Sequence, residues 1–160
     1  MSKIYWYKYS STIELLYTAS HLPPEFVVSN GFTPQHNEEW GVGAHLMPPA
    51  IFLGKEAIVR EKYHGQLGRA YLYRVDNLNQ DYFFPDFPSL VDYGAYFDEE
   101  TIWWKERDDD KFKSLSHLIN YEEDDLYVSD LTWRDVYKIT GTAAYIKPIS
   151  PNNIDFIEKI

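Results

Sequence analysis

Four consecutive acidic residues, at positions 122–125, are the first candidates for chemistry in this sequence. They directly precede a short apolar segment at residues 126–128 that is typical of a β-strand. Because side chains alternate along a strand, Glu122 and Asp124 would share one face and Glu123 would lie on the other. Two carboxylates on one face could stabilise positive charge that develops on a bound group. A solvated acidic turn would have the same composition, so both interpretations stay open.

Other catalytic patterns are missing from the sequence. The five histidines show neither an i,i+4 pair nor the His-Glu-x-x-His spacing of a zinc site. No cysteine is present to act as a nucleophile or as a thiolate ligand. The sequence also lacks a Gly-x-Ser-x-Gly elbow and a phosphate-binding glycine loop. We therefore expect no metal site, no serine hydrolase and no P-loop enzyme.

The balance of charges limits the class of partner. The 160 residues carry 25 acidic and 15 basic side chains, which gives a formal charge of -10. Such a surface would repel a phosphate backbone, and this disfavours a nucleic-acid substrate. No apolar run approaches the ~20 residues that a membrane span needs, and no basic-then-apolar leader follows Met1. We expect a cytoplasmic protein, or one exported without a cleaved signal peptide.

Residues 16–35 would position a site, because their order is the most particular in the chain. An apolar run at residues 15–17 predicts a short buried strand. The pair Pro23-Pro24 predicts the start of a helix, since proline lacks an N–H that the first helical turn does not need. Asn30-Gly31 predicts the end of that helix, where a left-handed residue is often required. A strand, a helix and a stop signal therefore follow one another closely.

The rest of the pattern predicts a single α+β domain over residues 1–160. In a helix predicted at residues 55–63, Ala57, Ile58 and Tyr63 would face inward, and Glu56 would pair with Arg60 on the surface. Short strands are predicted at residues 50–53, 69–76, 126–128, 133–139, 142–146 and 154–157.

The middle of the chain is predicted to be less regular. Pro85 and Pro88 argue against regular structure at residues 80–90. Residues 98–113 combine two tryptophans with an acidic run, and we interpret them as part of a long connection with one or two short helices. The later of these helices is predicted near residues 111–119.

The order of elements at residues 16–35 resembles the opening of the bacterial ADP-ribosyltransferase toxins of the heat-labile enterotoxin and pertussis S1 type. In that family a strand ending in hydrophobic-Tyr-Arg leads into a Pro-Pro pair, a short helix and an Asn-Gly-Phe-like turn. The family's arginine, which grips the phosphates of NAD, falls on Thr18 here. The matching residues are Leu16-Tyr17, Pro23-Pro24, Phe26 and Asn30-Gly31-Phe32.

The resemblance implies a fold in which two small mixed or antiparallel sheets, with short helices, enclose a cleft for NAD. The family's second element, a Ser-Thr-Ser, falls on Leu53, Gly54 and Lys55, so its hydroxyls are replaced. Lys55 could offer a cation in place of the missing arginine. The residues implied to contact the cofactor are Tyr17, Thr18, His21, Phe52, Leu53, Gly54 and Lys55.

The family's third element, a Glu-x-Glu, has two possible alignments. In the preferred one it falls on Glu122 and Asp124, with Glu123 able to substitute after a slip of one residue. Asp124 then stands in place of the catalytic glutamate, and its shorter side chain withdraws the carboxylate by roughly 1 to 1.5 Å. The rival alignment puts Thr140 and Thr142 at the paired positions and leaves no acid there.

Two functions follow from the resemblance. The first is a diverged mono-ADP-ribosyltransferase-like toxin or effector domain that binds NAD as its substrate and transfers ADP-ribose to a protein. The alternative is a catalytically inactive protein of the same fold that acts as a protein-binding module or antagonist through its acidic and aromatic surface. The replacements at Thr18 and at the Ser-Thr-Ser motivate the alternative, so the sequence leaves open whether the chain is an enzyme.

Overall fold

The computed structural model describes residues 16–36, 41, 43–63, 70–104 and 126–160. Within these ranges the chain forms nine strands and four α-helices, joined by short 3₁₀ turns. In chain order they are β1 (Leu16–Ser20), α1 (Pro24–Asn30), β2 (Ile51–Gly54), α2 (Glu56–Lys62), β3 (Tyr71–Val75), β4 (Phe83–Phe84), α3 (Phe87–Val91), β5 (Ala95–Asp98), β6 (Thr101–Trp104), β7 (Leu126–Tyr127), α4 (Trp133–Thr140), β8 (Thr142–Tyr145) and β9 (Ile154–Lys159).

The strands form two antiparallel sheets, which confirms the predicted α+β class. One sheet has the strand order β4-β8-β2-β1-β3-β9 and the other has the order β5-β6-β7. The chain divides into two compact units: residues 1–33, 53–82 and 147–160 form the first, and residues 34–52 and 83–146 form the second. The single domain over residues 1–160 stays a prediction. No helix in the described ranges is long and apolar enough to cross a membrane.

The first unit confirms the strand, helix and stop predicted from residues 16–35. Strand β1 continues to Ser20, three residues beyond the predicted end. Helix α1 has a proline in its first turn, and it ends where Gly31 takes a φ of 67° and its N–H donates to the carbonyl of Val27 over 2.8 Å. The strand is stabilised by its pairing with β3, in which Thr18 lies opposite Tyr73.

Helix α2 confirms one predicted contact and corrects another. Arg60 Nε donates to Glu56 Oε2 over 2.8 Å, as the i,i+4 spacing indicates. The prediction that Ala57 faces inward is wrong, because Ala57 is exposed and Val59 is the buried residue. A helix of seven residues presents only one narrow face to its unit, and here Val59 packs in a cluster with Ala19 and Leu72.

The second unit contains the three-stranded sheet, the β4–β8 pair and helices α3 and α4. Alternating side chains from the sheet and apolar residues from the helices form its core. The buried members of this core are Met47, Ala50, Phe87, Leu90, Ala95, Ile102, Leu126, Leu131, Val136 and Ala144.

The strand predicted at residues 133–139 is wrong, because Trp133–Thr140 form helix α4. The β-forming residues of this segment are overridden by strong helix-end signals. Asp135 N–H donates to Thr132 Oγ1 over 3.2 Å, while Thr132 N–H donates to Asp135 Oδ2 over 2.9 Å. This reciprocal capping box begins the helix, and Gly141, with a φ of 72°, ends it.

The prediction of irregular structure at residues 80–90 is also wrong. This segment contains a 3₁₀ turn, strand β4 and the start of helix α3. Pro88 lies in the first turn of α3, where proline is tolerated, and the Asp86 carboxylate caps the helix by accepting from Ser89 N–H over 3.2 Å. The two prolines therefore mark a helix start rather than a break.

The long connection predicted at residues 98–113 is wrong for residues 98–104, which belong to a hairpin. Residues 95–104 form the β5–β6 hairpin, with Tyr96 opposite Trp103 and Asp98 opposite Thr101. The helix predicted near residues 111–119 lies outside the described residues.

We expect Glu99→Asn to raise the free energy of unfolding by about 0.5–1 kcal/mol. Glu99 lies in the β5–β6 turn with a φ of 50°, a conformation that asparagine adopts more readily than glutamate. Urea denaturation of the two proteins measures the difference. The control is Glu100→Asn, which removes the same charge from the other turn residue. Equal changes in the two variants would show that charge, and not backbone strain, sets the effect.

Candidate functional site

The structure places the predicted first-strand residues in very different environments. Thr18 is only 7% exposed and belongs to the interior of the first unit. Tyr17 is half-buried, and its backbone lies opposite Gly54 of β2. His21 follows the strand and is exposed. The residue at the position of the family's arginine is therefore the least accessible of the three.

The predicted second-strand residues are also mostly enclosed. Leu53 is 1% exposed and Gly54 is buried. Phe52, which belongs to the second unit, packs against the core of that unit. Lys55 is exposed and occupies the N-cap position of helix α2, where its side chain makes no capping hydrogen bond. The pairing of β1 with β2 therefore brings Tyr17 next to Gly54 and Lys55 within the first unit, while most of the neighbouring side chains are core residues.

Tyr73, on β3 opposite Thr18, is a buried residue with a structural role. Its ring is 1% exposed and lies edge-on to Phe32, with 5.2 Å between ring centroids. Its hydroxyl donates to the carbonyl of Leu22 over 2.5 Å, which fixes the chain just after His21. Burial, and then the nearby Tyr71 and Glu25, raise the pKa of Tyr73 to about 12. The phenol therefore stays neutral at any ordinary pH and acts as a structural donor.

The two arginines of the first unit that the structure describes, Arg60 and Arg74, form ion pairs. Arg74 Nη2 donates to Asp155 Oδ2 over 2.9 Å. Arg60 pairs with Glu56 on its own helix and with Glu158 of β9. These partners raise the pKa of both guanidinium groups, which stay charged. Each of these arginines already has a carboxylate partner where the structure describes it.

Of the two alignments of the family's third element, only the rival one falls on residues that the structure describes. Glu122, Glu123 and Asp124 lie outside the described residues, so their roles stay predictions. The rival pair is described: Thr140 and Thr142 are buried, and their hydroxyl oxygens are 2.8 Å apart. Thr140 Oγ1 also donates to the carbonyl of Val136 over 2.9 Å, within α4, and it accepts from Thr142 N–H over 3.1 Å, which joins the end of α4 to β8. The rival pair is thus a satisfied structural contact without a carboxylate.

The second unit contains a cavity of about 410 Å³ that the sequence did not indicate. Its walls are mainly apolar, with Glu100 and Ser129 as polar members. The residues that form it come from separate segments of the chain, and the prolines near Phe84 and Phe87 predict irregular structure there. The apolar lining includes Leu46, Phe84, Pro85, Phe87, Val128 and Leu131.

The three-stranded sheet of the second unit exposes a row of aromatic rings. Tyr96, Trp103 and Tyr127 are 44%, 41% and 48% exposed, while their strand neighbours Ala95 and Ile102 are buried. Tyr96 and Trp103 are cross-strand partners and stack with 4.7 Å between ring centroids and 19° between planes. We call the side of the sheet formed by Tyr96, Trp103 and Tyr127 the ring face.

A metal centre is not apparent in the part of the chain that the structure describes. Among those residues, no group of three or more His, Asp or Glu side chains could hold an ion. The histidines at positions 21, 36 and 45 are all exposed.

Comparison with known proteins gives one structural neighbour. No protein-family model matches the chain, and no curated protein sequence matches it. Among solved structures, the chain is similar to EcPltA with a TM-score of 0.42 and 18% sequence identity, over 88% of this chain and 72% of that chain. The two folds are compatible only coarsely, so this similarity assigns neither a family nor a function.

Proposed function

We propose that this chain is an ADP-ribosyltransferase-like protein that has lost the transfer reaction and acts by binding a partner protein. The observation that carries the proposal is the burial of Thr18, which is 7% exposed at the position where the resemblance requires an arginine. A neutral hydroxyl inside the unit supplies no cation for a pyrophosphate.

The chemistry of ADP-ribosyl transfer shows why this replacement matters. The bond between nicotinamide and ribose breaks through a transition state with oxocarbenium character, as in glycoside hydrolysis. The protein must provide a cation for the phosphates and a carboxylate for the developing positive charge. An arginine at this position, if buried as Thr18 is, would have to place its charge in the interior of the unit, at a cost of several kcal/mol unless paired. Leu53, 1% exposed, has no polar group for a nucleotide.

A second function is favoured by Lys55. This residue is exposed directly after Gly54, which pairs with Tyr17 of the first strand. If Lys55 replaces the missing arginine, and if Glu122 and Asp124 form the acidic pair, the chain would be a diverged mono-ADP-ribosyltransferase toxin or effector. NAD would then be a substrate, and a protein would be the acceptor of ADP-ribose.

Turnover of NAD separates the two functions. We expect no nicotinamide release above the buffer rate when the protein is followed by NMR for hours with millimolar NAD. We also expect no labelled protein when labelled NAD and cell lysate are added. Glu122→Ala with Asp124→Ala should then behave as the wild type does.

Two variants define the opposite result. Release of nicotinamide that is lost in the Glu122→Ala, Asp124→Ala protein and reduced in Lys55→Ala would overturn the proposal and establish the transferase. The matched control is Glu25→Ala with Glu61→Ala, which removes two exposed acids of the first unit. Any release in that control should equal the release by the wild-type protein.

A further inference from the structure

We propose that the cavity at Glu100, together with the ring face, binds a segment of a partner protein in which basic and apolar residues alternate. This inference rests on the proposed function, since it names the surface and the chemistry of the partner. Both features belong to the second unit and are formed by the β5–β6–β7 sheet and the segments beside it.

The cavity has the size and lining of a binding pocket. Its volume of about 410 Å³ falls within the range of roughly 300–1,000 Å³ that ligand sites occupy. The walls from Phe84, Phe87 and Leu131 are apolar, so the group that fills the cavity must be apolar as well. A leucine or an aromatic side chain of a partner meets this requirement.

An acidic residue also lines the cavity. Glu100 is one of its lining residues, and the carbonyl of Glu100 accepts from Val128 N–H over 2.8 Å. Val128 also lines the cavity, so this bond fixes the backbone of the acidic residue against the wall. Asp98 and Glu99 directly precede Glu100 and are exposed. The apolar group must therefore be carried by a segment that tolerates, and pairs with, nearby negative charge.

The ring face and the cavity lie on opposite sides of the β6–β7 pair, because the exposed rings point away from the buried Ile102 and Leu126, and the cavity is lined by the core that these two residues join. Tyr127 lies opposite Thr101 in the strand register, and each of these residues is the chain neighbour of a cavity residue, Val128 and Glu100 respectively. Exposed tyrosine and tryptophan rings beside carboxylates are suited to bind Lys or Arg through cation–π contacts. Because successive side chains of an extended segment point to opposite sides, a segment along the edge of this pair could place its basic residues on the ring face and its apolar residues toward the cavity.

Other rings of this chain already carry a cation. Arg134 lies over Trp133 at 4.8 Å, Lys147 over Tyr82 at 5.2 Å and Lys159 over Tyr71 at 5.7 Å, measured to the ring centroids. Within the described ranges, no Lys or Arg lies over the rings of the ring face. A basic side chain from a partner would lie over a ring of the ring face in the same way.

Charge decides between the possible occupants. The formal charge of -10 makes a second copy of this chain or a nucleic acid an unfavourable neighbour for an acidic turn. A neutral apolar segment would fill the cavity but leave the carboxylates without a counter-charge. A segment with both basic and apolar residues fills the cavity and also supplies the counter-charge.

The test uses two synthetic peptides and the whole, ¹⁵N-labelled chain. The probe is acetyl-Arg-Leu-Arg-Leu-Arg-amide, and the control is the same peptide with Glu in place of Arg. We expect the basic peptide to shift the Trp103 indole and Glu100 amide signals, and to bind at least about tenfold more tightly than the acidic one. Raising the salt concentration should weaken the binding of the basic peptide, because exposed charges are screened.

Substitutions locate the contact. Trp103→Ala should weaken the binding of the basic peptide about tenfold, and Glu100→Gln should weaken it about threefold to tenfold. The matched controls are Phe26→Ala, an equally exposed ring of the first unit, and Glu25→Gln, an exposed acid of the same unit. Both controls should leave the affinity unchanged. An unaltered amide spectrum away from the hairpin shows that each variant is folded.

Three results would overturn the inference: equal binding of the two peptides, no binding, or binding that neither substitution weakens. Self-association that masks the same signals, seen as slower diffusion at higher protein concentration, would identify a second copy as the occupant instead. Nicotinamide release is followed in the same samples. Its appearance would refute the proposed function, whereas failed peptide binding without any release would refute only the surface assigned here.

Discussion

Gly31→Ala is expected to lower the free energy of unfolding by about 3 kcal/mol or more. Gly31 has a φ of 67° and a ψ of -155°, a backbone region that essentially only glycine occupies. Forcing another residue into such a region costs about 1–3 kcal/mol by itself. An added Cβ would also lie 2.1 Å from the carbonyl oxygen of Ile149 and 3.1 Å from Pro151 Cδ.

The carbonyl of Ile149 cannot simply move away. It accepts from Phe32 N–H over 3.0 Å, and Ile149 N–H donates back to Phe32 over 2.9 Å. Relief of the clash would therefore break a bridge between two segments of the first unit. The cost of a lost, buried hydrogen bond then adds to the backbone strain.

Gly41→Ala is the matched control for this effect. Gly41 has a φ of 83°, but no atom of the residues that the structure describes lies within 4 Å of the position of an added Cβ. Its substitution should cost only the conformational strain, about 1–2 kcal/mol. Urea denaturation of both variants measures the contrast. Equal losses of stability would show that the close approach to Ile149 does not hold in solution.

Residues 16–35 could be predicted because their signals are local. A proline pair at a helix start and an Asn-Gly at its end act through the backbone of the residues that carry them. Both signals are confirmed by α1 and by the positive φ of Gly31. The same kind of signal is present at α4, where Thr132 and Asp135 form the capping box, but the β-forming residues that follow it favour a strand in the sequence pattern.

The candidate site was less predictable, since it depends on tertiary burial. The sequence indicated Thr18 as the residue in place of an arginine, but only the pairing and packing of β1 show that this position is 7% exposed. Likewise, the cavity joins residues as distant as Leu46 and Leu131, which no local pattern connects. The ring face was equally hidden, because it appears only when the β5–β6 hairpin places Tyr96 opposite Trp103.

The second large effect is a loss of stability at alkaline pH, and we expect it to come from Tyr73. Its pKa is about 12 in the folded protein, chiefly because burial disfavours the phenolate. In the unfolded chain it returns to about 10. Between these values the unfolded state loses the proton and the folded state retains it, so stability falls as the pH rises. The loss from this one group should be about 1.4 kcal/mol at pH 11 and should approach roughly 3 kcal/mol above pH 12.

Tyr73→Phe isolates this contribution from that of the other tyrosines. Near neutral pH the variant should be less stable by about 1 kcal/mol, because the bond to the carbonyl of Leu22 is lost. Since phenylalanine does not ionise, this deficit should shrink above pH 10 and reverse near pH 11 to 12. Tyr82→Phe, at an exposed position, serves as the control and should follow the wild type throughout. A deficit that stays constant from pH 8 to 12 would mean that the Tyr73 hydroxyl is accessible to water, and the closed contact between Leu22 and Tyr73 would have to be abandoned.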